Sequence, residues 1–241
     1  MKTKNILTFL LLIFISFGYS QKKELRNANK FYDSGEYLSA LDLLETSMSM
    51  FDSSDDKVKS QVMLLYGKIY TSTEDFELAI KSFNNSRELG VSGQDLNSEI
   101  NKLETAIITS AIADNETENF SDASKKLKMV YDINPENNGL YLYYAASSAV
   151  NSNDLSLALE YYLILRDIKY EGIETKYYIT DVSSETEIEI SSEAEFNLLK
   201  KSKDYSNPRE EETESKFPEI VKNIAIIYKQ LGQNDMALAA I

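Results

Sequence analysis

With 241 residues, 43% of them hydrophobic and only 8 Gly and 3 Pro, the chain has the composition of a mainly helical protein, long enough for one core or for a short stack of repeated units. It contains no Cys and no His, which removes disulfides, the usual nucleophile, the usual neutral-pH base and the usual zinc ligands, so no catalytic residue, metal site or cofactor is expected. A formal charge of −14 repels phosphate backbones and anionic bilayers, which argues against nucleic acid as a partner.

Residues 1–20 open with Lys2 and Lys4, continue through an apolar stretch from Ile6 to Phe17, and close on Gly18 and Ser20. That is the layout of a secretory signal peptide, with cleavage expected before Gln21. The apolar stretch falls short of the about 20 residues that cross a bilayer, and a membrane anchor is the alternative reading. With the leader removed, no membrane span is expected in the mature chain.

Residues 21–170 read as four helix pairs. A small residue is followed 12 positions later by alanine at Ala28 and Ala40, Gly67 and Ala79, Ala111 and Ala123, and Ala146 and Ala158; Ala225 and Ala237 repeat the spacing near the end. Around the second alanine runs a stripe at offsets of three, four and seven, as in Phe76, Ala79, Ile80 and Phe83, which is one face of a helix. Turn-prone pairs such as Gly35-Glu36, Asn153-Asp154 and Gly232-Gln233 separate the two helices. Small residues let antiparallel helices approach closely, and stacking covers their bulky neighbours at about 1.5–3 kcal/mol for each large side chain.

The stretches ANKFYDSGEYLSALDLLETSM (28–48) and YGKIYTSTEDFELAIKSFNNS (66–86) resemble the tetratricopeptide repeat (TPR) family; 144–165 and 223–241 match less closely, and 105–137 more loosely. The resemblance implies an all-α, TPR-like helical solenoid of antiparallel helix pairs whose concave groove holds a peptide or protein partner. Carried over by alignment, groove-lining positions are Asn29, Tyr32, Lys68, Tyr143, Ser147, Asn151, Asn223 and Lys229. Leu25 and Leu65 stand where carboxylate-gripping members carry polar ligands, so that clamp is not expected. The recurring alanines are 39, 44, 35 and 79 residues apart, so extra helix or loop is needed, for instance around Asp52 to Lys57. A non-repeating helical bundle is the competing reading.

Residues 171–216 form an insertion before the last pair. KYYIT (176–180) and EIEI (187–190) alternate as a β-hairpin, Ser192 and Glu195 mark the start of a short helix, and the polar run with Pro208 reads as an acidic loop. Residues 217–241 begin a further pair, with Pro218 at a helix start and Ala237, Leu238 and Ile241 left for association through this edge. The insert together with PEIVKNIAIIY resembles exported repeat proteins of Gram-negative envelopes. The expected role is therefore a non-catalytic binding or scaffold protein, periplasmic or outer-envelope associated. A structural subunit of an envelope assembly, and the targeting module of a longer protein, are the alternatives.

The tyrosines at 141, 143, 144, 161, 162 and 170 offer either a contact surface or core. The acidic groups Asp55-Asp56 and Glu210 to Glu212 lack EF-hand spacing and read as solvated charge. Glu193 and Glu195 are the carboxylates that an enzymatic reading would use.

Overall fold

A computed structural model describes residues 20–90 and 94–240. The expected signal peptide, but for Ser20, and the terminal Ile241 lie outside the described residues. The chain divides into two compact units, Met1–Thr117 and Glu118–Ile241.

In the first unit, helix α1 covers residues 20–33 and is followed by α2 (Tyr37–Thr46), α3 (Met48–Asp52), α4 (Asp56–Ser72), α5 (Phe76–Glu88) and α6 (Gln94–Glu116). Leu25 and Ala28 of α1, Ala40 and Leu44 of α2, Phe51 of α3, and Val62, Leu65 and Ile69 of α4 form one buried cluster. The short helix α3 takes up part of the excess length expected near Asp52, and Asp55 then caps α4 by accepting the Val58 N–H at 2.8 Å. At the α4–α5 crossing, a Cβ on Gly67 would lie within 2.8 Å of the Phe83 ring, so only glycine permits this approach. Ser86 Oγ donates to the Ser60 carbonyl at 2.8 Å. Residue 60 meets 86 while 67 meets 83, so the two helices run antiparallel.

The second unit holds α7 (Phe120–Ile133), α8 (Gly139–Asn151), α9 (Leu155–Asp167), an inserted module, α11 (Phe217–Gln230) and α12 (Asn234–Ala239). Helix α8 lies between α7 and α9, and its Leu142, Ala145, Ala146 and Ala149 are fully buried. Ser124 Oγ of α7 donates to the Ala145 carbonyl at 2.8 Å. Helix α11 then buries Ile220, Ile224, Ile227 and Tyr228 as it docks on α9.

One backbone device recurs through both units. Gly35, Glu74, Glu118, Asn153 and Gly232 all adopt positive φ, between 61° and 77°, and each stands five residues before a recurring alanine. The following N–H reaches back over the turn, from Glu36 to Phe31, Asp75 to Tyr70, Asp154 to Ala149 and Gln233 to Tyr228, at 2.9 Å every time. This left-handed closure satisfies the last carbonyls of one helix and reverses the chain into the next. Ala28, Ala40, Ala79, Ala111, Ala123, Ala146 and Ala158 are all fully buried. The fold is thus built from antiparallel helix pairs of the tetratricopeptide type, with α6 assigned to the first unit and α7 to the second.

The inserted module corrects the sequence reading in one respect. The expected hairpin is present as β1 (Thr175–Asp181) and β2 (Thr186–Ile190), and the expected helix as α10 (Glu193–Leu199), with Ser192 Oγ accepting the Glu195 N–H at 3.3 Å. The acidic stretch expected to be a loop is instead a third strand, β3 (Tyr205–Glu212), antiparallel to β1 in a sheet of order β2-β1-β3. Pro208 is tolerated because β3 is an edge strand and its register with β1 shifts between Tyr178 and Thr180, opposite Asn207 at φ 50°. Most of its side chains face solvent, so the acids cost nothing in burial. Ile179, Ile190 and Phe196 form a small core beneath. The ends of the module meet: Lys216 N–H donates to the Glu171 carbonyl at 2.7 Å and Thr213 N–H to that of Glu174 at 2.9 Å.

Candidate functional site

In the first unit, α1 and α4 enclose a groove of about 380 Å³. Lys22, Arg26 and Asn29 succeed one another on α1 at offsets of four and three, and Gln61, Leu64, Leu65 and Lys68 do so on α4 at three, four and seven, so each set lies on one helical face. Leu25 and Leu65 are buried as the groove's apolar floor, and three cations rim it. Lys68 Nζ lies 4.4 Å from the centroid of the Tyr32 ring, a cation–π contact that fixes its position and leaves its charge unneutralised. No carboxylate among the described residues lies within ion-pairing distance of Lys22, Arg26 or Lys68. Asn29 differs, since its Nδ2 donates to the Leu25 carbonyl at 2.8 Å in its own helix. A larger hollow of about 530 Å³ beside α3, α4 and α5 is lined by Lys59 together with Asp52 and Glu88, so carboxylates outnumber cations there.

The predicted positions of the second unit have a different fate. Asn223 Nδ2 of α11 donates to the Tyr162 hydroxyl at 3.2 Å. The Tyr143 ring meets that of Tyr162 edge-on at 6.3 Å between centroids, and the Glu219 carboxylate acts on the Tyr143 hydroxyl. Burial, reinforced by that carboxylate, pushes the Tyr143 hydroxyl well above the ordinary tyrosine range. Burial raises Tyr162 as well, against the opposing effect of the neighbouring Ser147 and Asn223 side chains. These side chains join α8, α9 and α11 to one another. Asn151 is exposed at the end of α8, and Lys229 is exposed on α11.

Asn29, Tyr32 and Lys68 are therefore brought together at one groove, and Tyr143, Ser147 and Asn223 at one helix junction. The alignment missed Lys22, Arg26 and Gln61, although their spacing to Asn29 and Lys68 was the signal that finds them. Of the tyrosine cluster, Tyr161 and Tyr162 are core while Tyr144 is exposed. Asp55 caps a helix and Glu211 contacts Arg209, so both are engaged within the fold. Among the described residues, no group of three or more carboxylates is placed to hold a metal ion, and no helix is long and apolar enough to cross a membrane.

No family model matches the sequence, and no curated protein matches it. Solved structures similar to this chain include MamA of AMB-1, 15% identical with 91% of this chain and 94% of that one covered at a TM-score of 0.33. The nearly identical TPR-like repeats of a Podosopora anserina protein are 11% identical, with 91% and 90% covered and a TM-score of 0.33. A tetratricopeptide repeat protein of Parabacteroides merdae is 15% identical, with 92% and 78% covered and a TM-score of 0.31. Scores of this size fix no residue correspondence, and the fold assignment rests on the helix pairs and their shared turns.

Proposed function

We propose that this chain is a non-catalytic, protein-binding scaffold of the periplasm or cell envelope that grips acidic peptide segments in the α1–α4 groove. The observation that carries the reading is a concentration of unpaired positive charge, at Lys22, Arg26 and Lys68, over an apolar floor in a chain of net charge −14. A ligand bearing carboxylates beside one or two apolar side chains complements both features. The leader supports export, and absence of Cys and His supports a role without chemistry.

Calorimetric titration with a peptide of alternating Glu and Leu tests the groove. Binding is expected to weaken as salt rises, and to fall at least about tenfold in the Lys22→Glu/Arg26→Glu variant. Equal affinity for a Lys-Leu peptide, or no loss in that variant, refutes the acidic-ligand reading. Cell fractionation with N-terminal sequencing tests export, the expected product being a soluble envelope protein that starts at Gln21.

A further inference from the structure

The second unit offers a separate docking surface, built on α11. Most amphipathic helices carry one apolar face, whereas a helix that lies between two neighbours carries two. Helix α8 is such a helix, closed on one side by α7 and on the other by α9. Helix α11 has the same two-sided sequence. One stripe, Ile220, Ile224, Ile227 and Tyr228, is buried towards α9. The other, Pro218, Val221, Ala225 and Ile226, joins Ala237 and Leu238 of α12 around a groove of about 420 Å³. Ile226 is 43% exposed and Leu238 77%. The recurring small residues sharpen the contrast: Ala146 and Ala158 are fully buried, while Ala225 and Ala237, at the same two positions, are only half-buried and line the groove.

The same unit shows what shape such a surface receives. The pair α8–α9 is covered by a helix, α11, whose contacts fall at positions i, i+4, i+7 and i+8. The charge of the occupant follows from the groove's border. Lys222 and Lys229 stand seven residues apart on α11, both exposed and both lining the groove, and neither has a carboxylate partner among the described residues. They project from one side of the helix about 10 Å apart, two turns along it. Two such lysines also disfavour a symmetric pairing of this groove with itself in a second copy.

We propose that the α11–α12 groove receives an amphipathic α-helix of a partner protein, apolar along one stripe and acidic along the border that meets Lys222 and Lys229. The site is distinct from the α1–α4 groove, and either can fail without the other.

The test uses the mature chain and a fluorescein-labelled helical peptide that repeats the α11 stripe (Ile at i, i+4 and i+7, Tyr at i+8), with two bordering Glu residues seven apart. Fluorescence anisotropy is expected to show saturable binding, about tenfold tighter than for the same peptide with Lys in place of Glu. The Lys222→Glu/Lys229→Glu variant is expected to reverse that preference. Ile226→Asp is expected to abolish binding of both peptides, with unchanged circular dichroism, because the side chain is half exposed. All of these titrations are made in the Lys22→Glu/Arg26→Glu background, so that the α1–α4 groove takes up no acidic peptide and the anisotropy reports the α11–α12 groove alone. Absence of saturable binding, equal affinity for the two peptides, or binding that survives Ile226→Asp overturns the proposal. So does a dimer, seen by light scattering, that Ile226→Asp dissociates, since a second copy then covers the groove.

Discussion

Two buried tyrosines show how differently the units use the same kind of side chain. Tyr162, in the second unit, is 2% exposed and its hydroxyl accepts from Asn223 Nδ2 at 3.2 Å, which ties α9 to α11. Tyr66, on α4 of the first unit, is 5% exposed, and its hydroxyl has no hydrogen-bond partner among the described residues. The groove positions repeat the contrast: polar groups of the second unit bond to one another, while cations of the first are left to solvent. A position in a repeat thus fixes where a side chain stands and not whether it binds inwards or outwards; that depends on what the neighbouring helix supplies.

The largest expected effect tests the close crossing on which the first unit rests. Gly67→Ala forces a methyl into the Phe83 ring and is expected to lower stability by about 2 kcal/mol in chemical denaturation, with part of the loss recovered on adding Phe83→Leu. Next comes the second unit's polar junction, where Tyr162→Phe strands the Asn223 amide and is expected to cost about 1.5 kcal/mol. Tyr66→Phe removes a hydroxyl that burial penalises and is expected to stabilise by about 1 kcal/mol, so the two tyrosine substitutions should carry opposite signs. Equal signs would break the comparison. The smallest effect belongs to the shared turn: Glu118 holds the left-handed conformation that Gly35 and Gly232 adopt without strain, and Glu118→Gly is expected to raise the melting temperature through about 0.5 kcal/mol.

The helix pairs were legible because their requirement is local and strict. A close crossing needs a small side chain at a fixed distance from the turn, and the 12-residue interval records that need directly in the chain. Strand β3 was hidden for the opposite reason. An exposed edge strand demands no apolar alternation, and a register shift excuses Pro208, so neither signal of a strand reaches the sequence. The groove was half legible. Alignment found Asn29, Tyr32 and Lys68, but Lys22 and Arg26 precede the first quoted repeat stretch, and only the partnership of α1 with α4 shows that five scattered polar residues share one cleft.

The hydrogen bond from Lys216 to Glu171 has a consequence for how this chain can vary. Because the module leaves and re-enters the helical framework at neighbouring points, its length is nearly decoupled from the α9–α11 contact, and closing a longer or shorter excursion changes the free energy only logarithmically. The sheet is in effect an exchangeable cassette: sequence drift, substitution of a different hairpin, or excision can proceed there while the flanking helices keep their register.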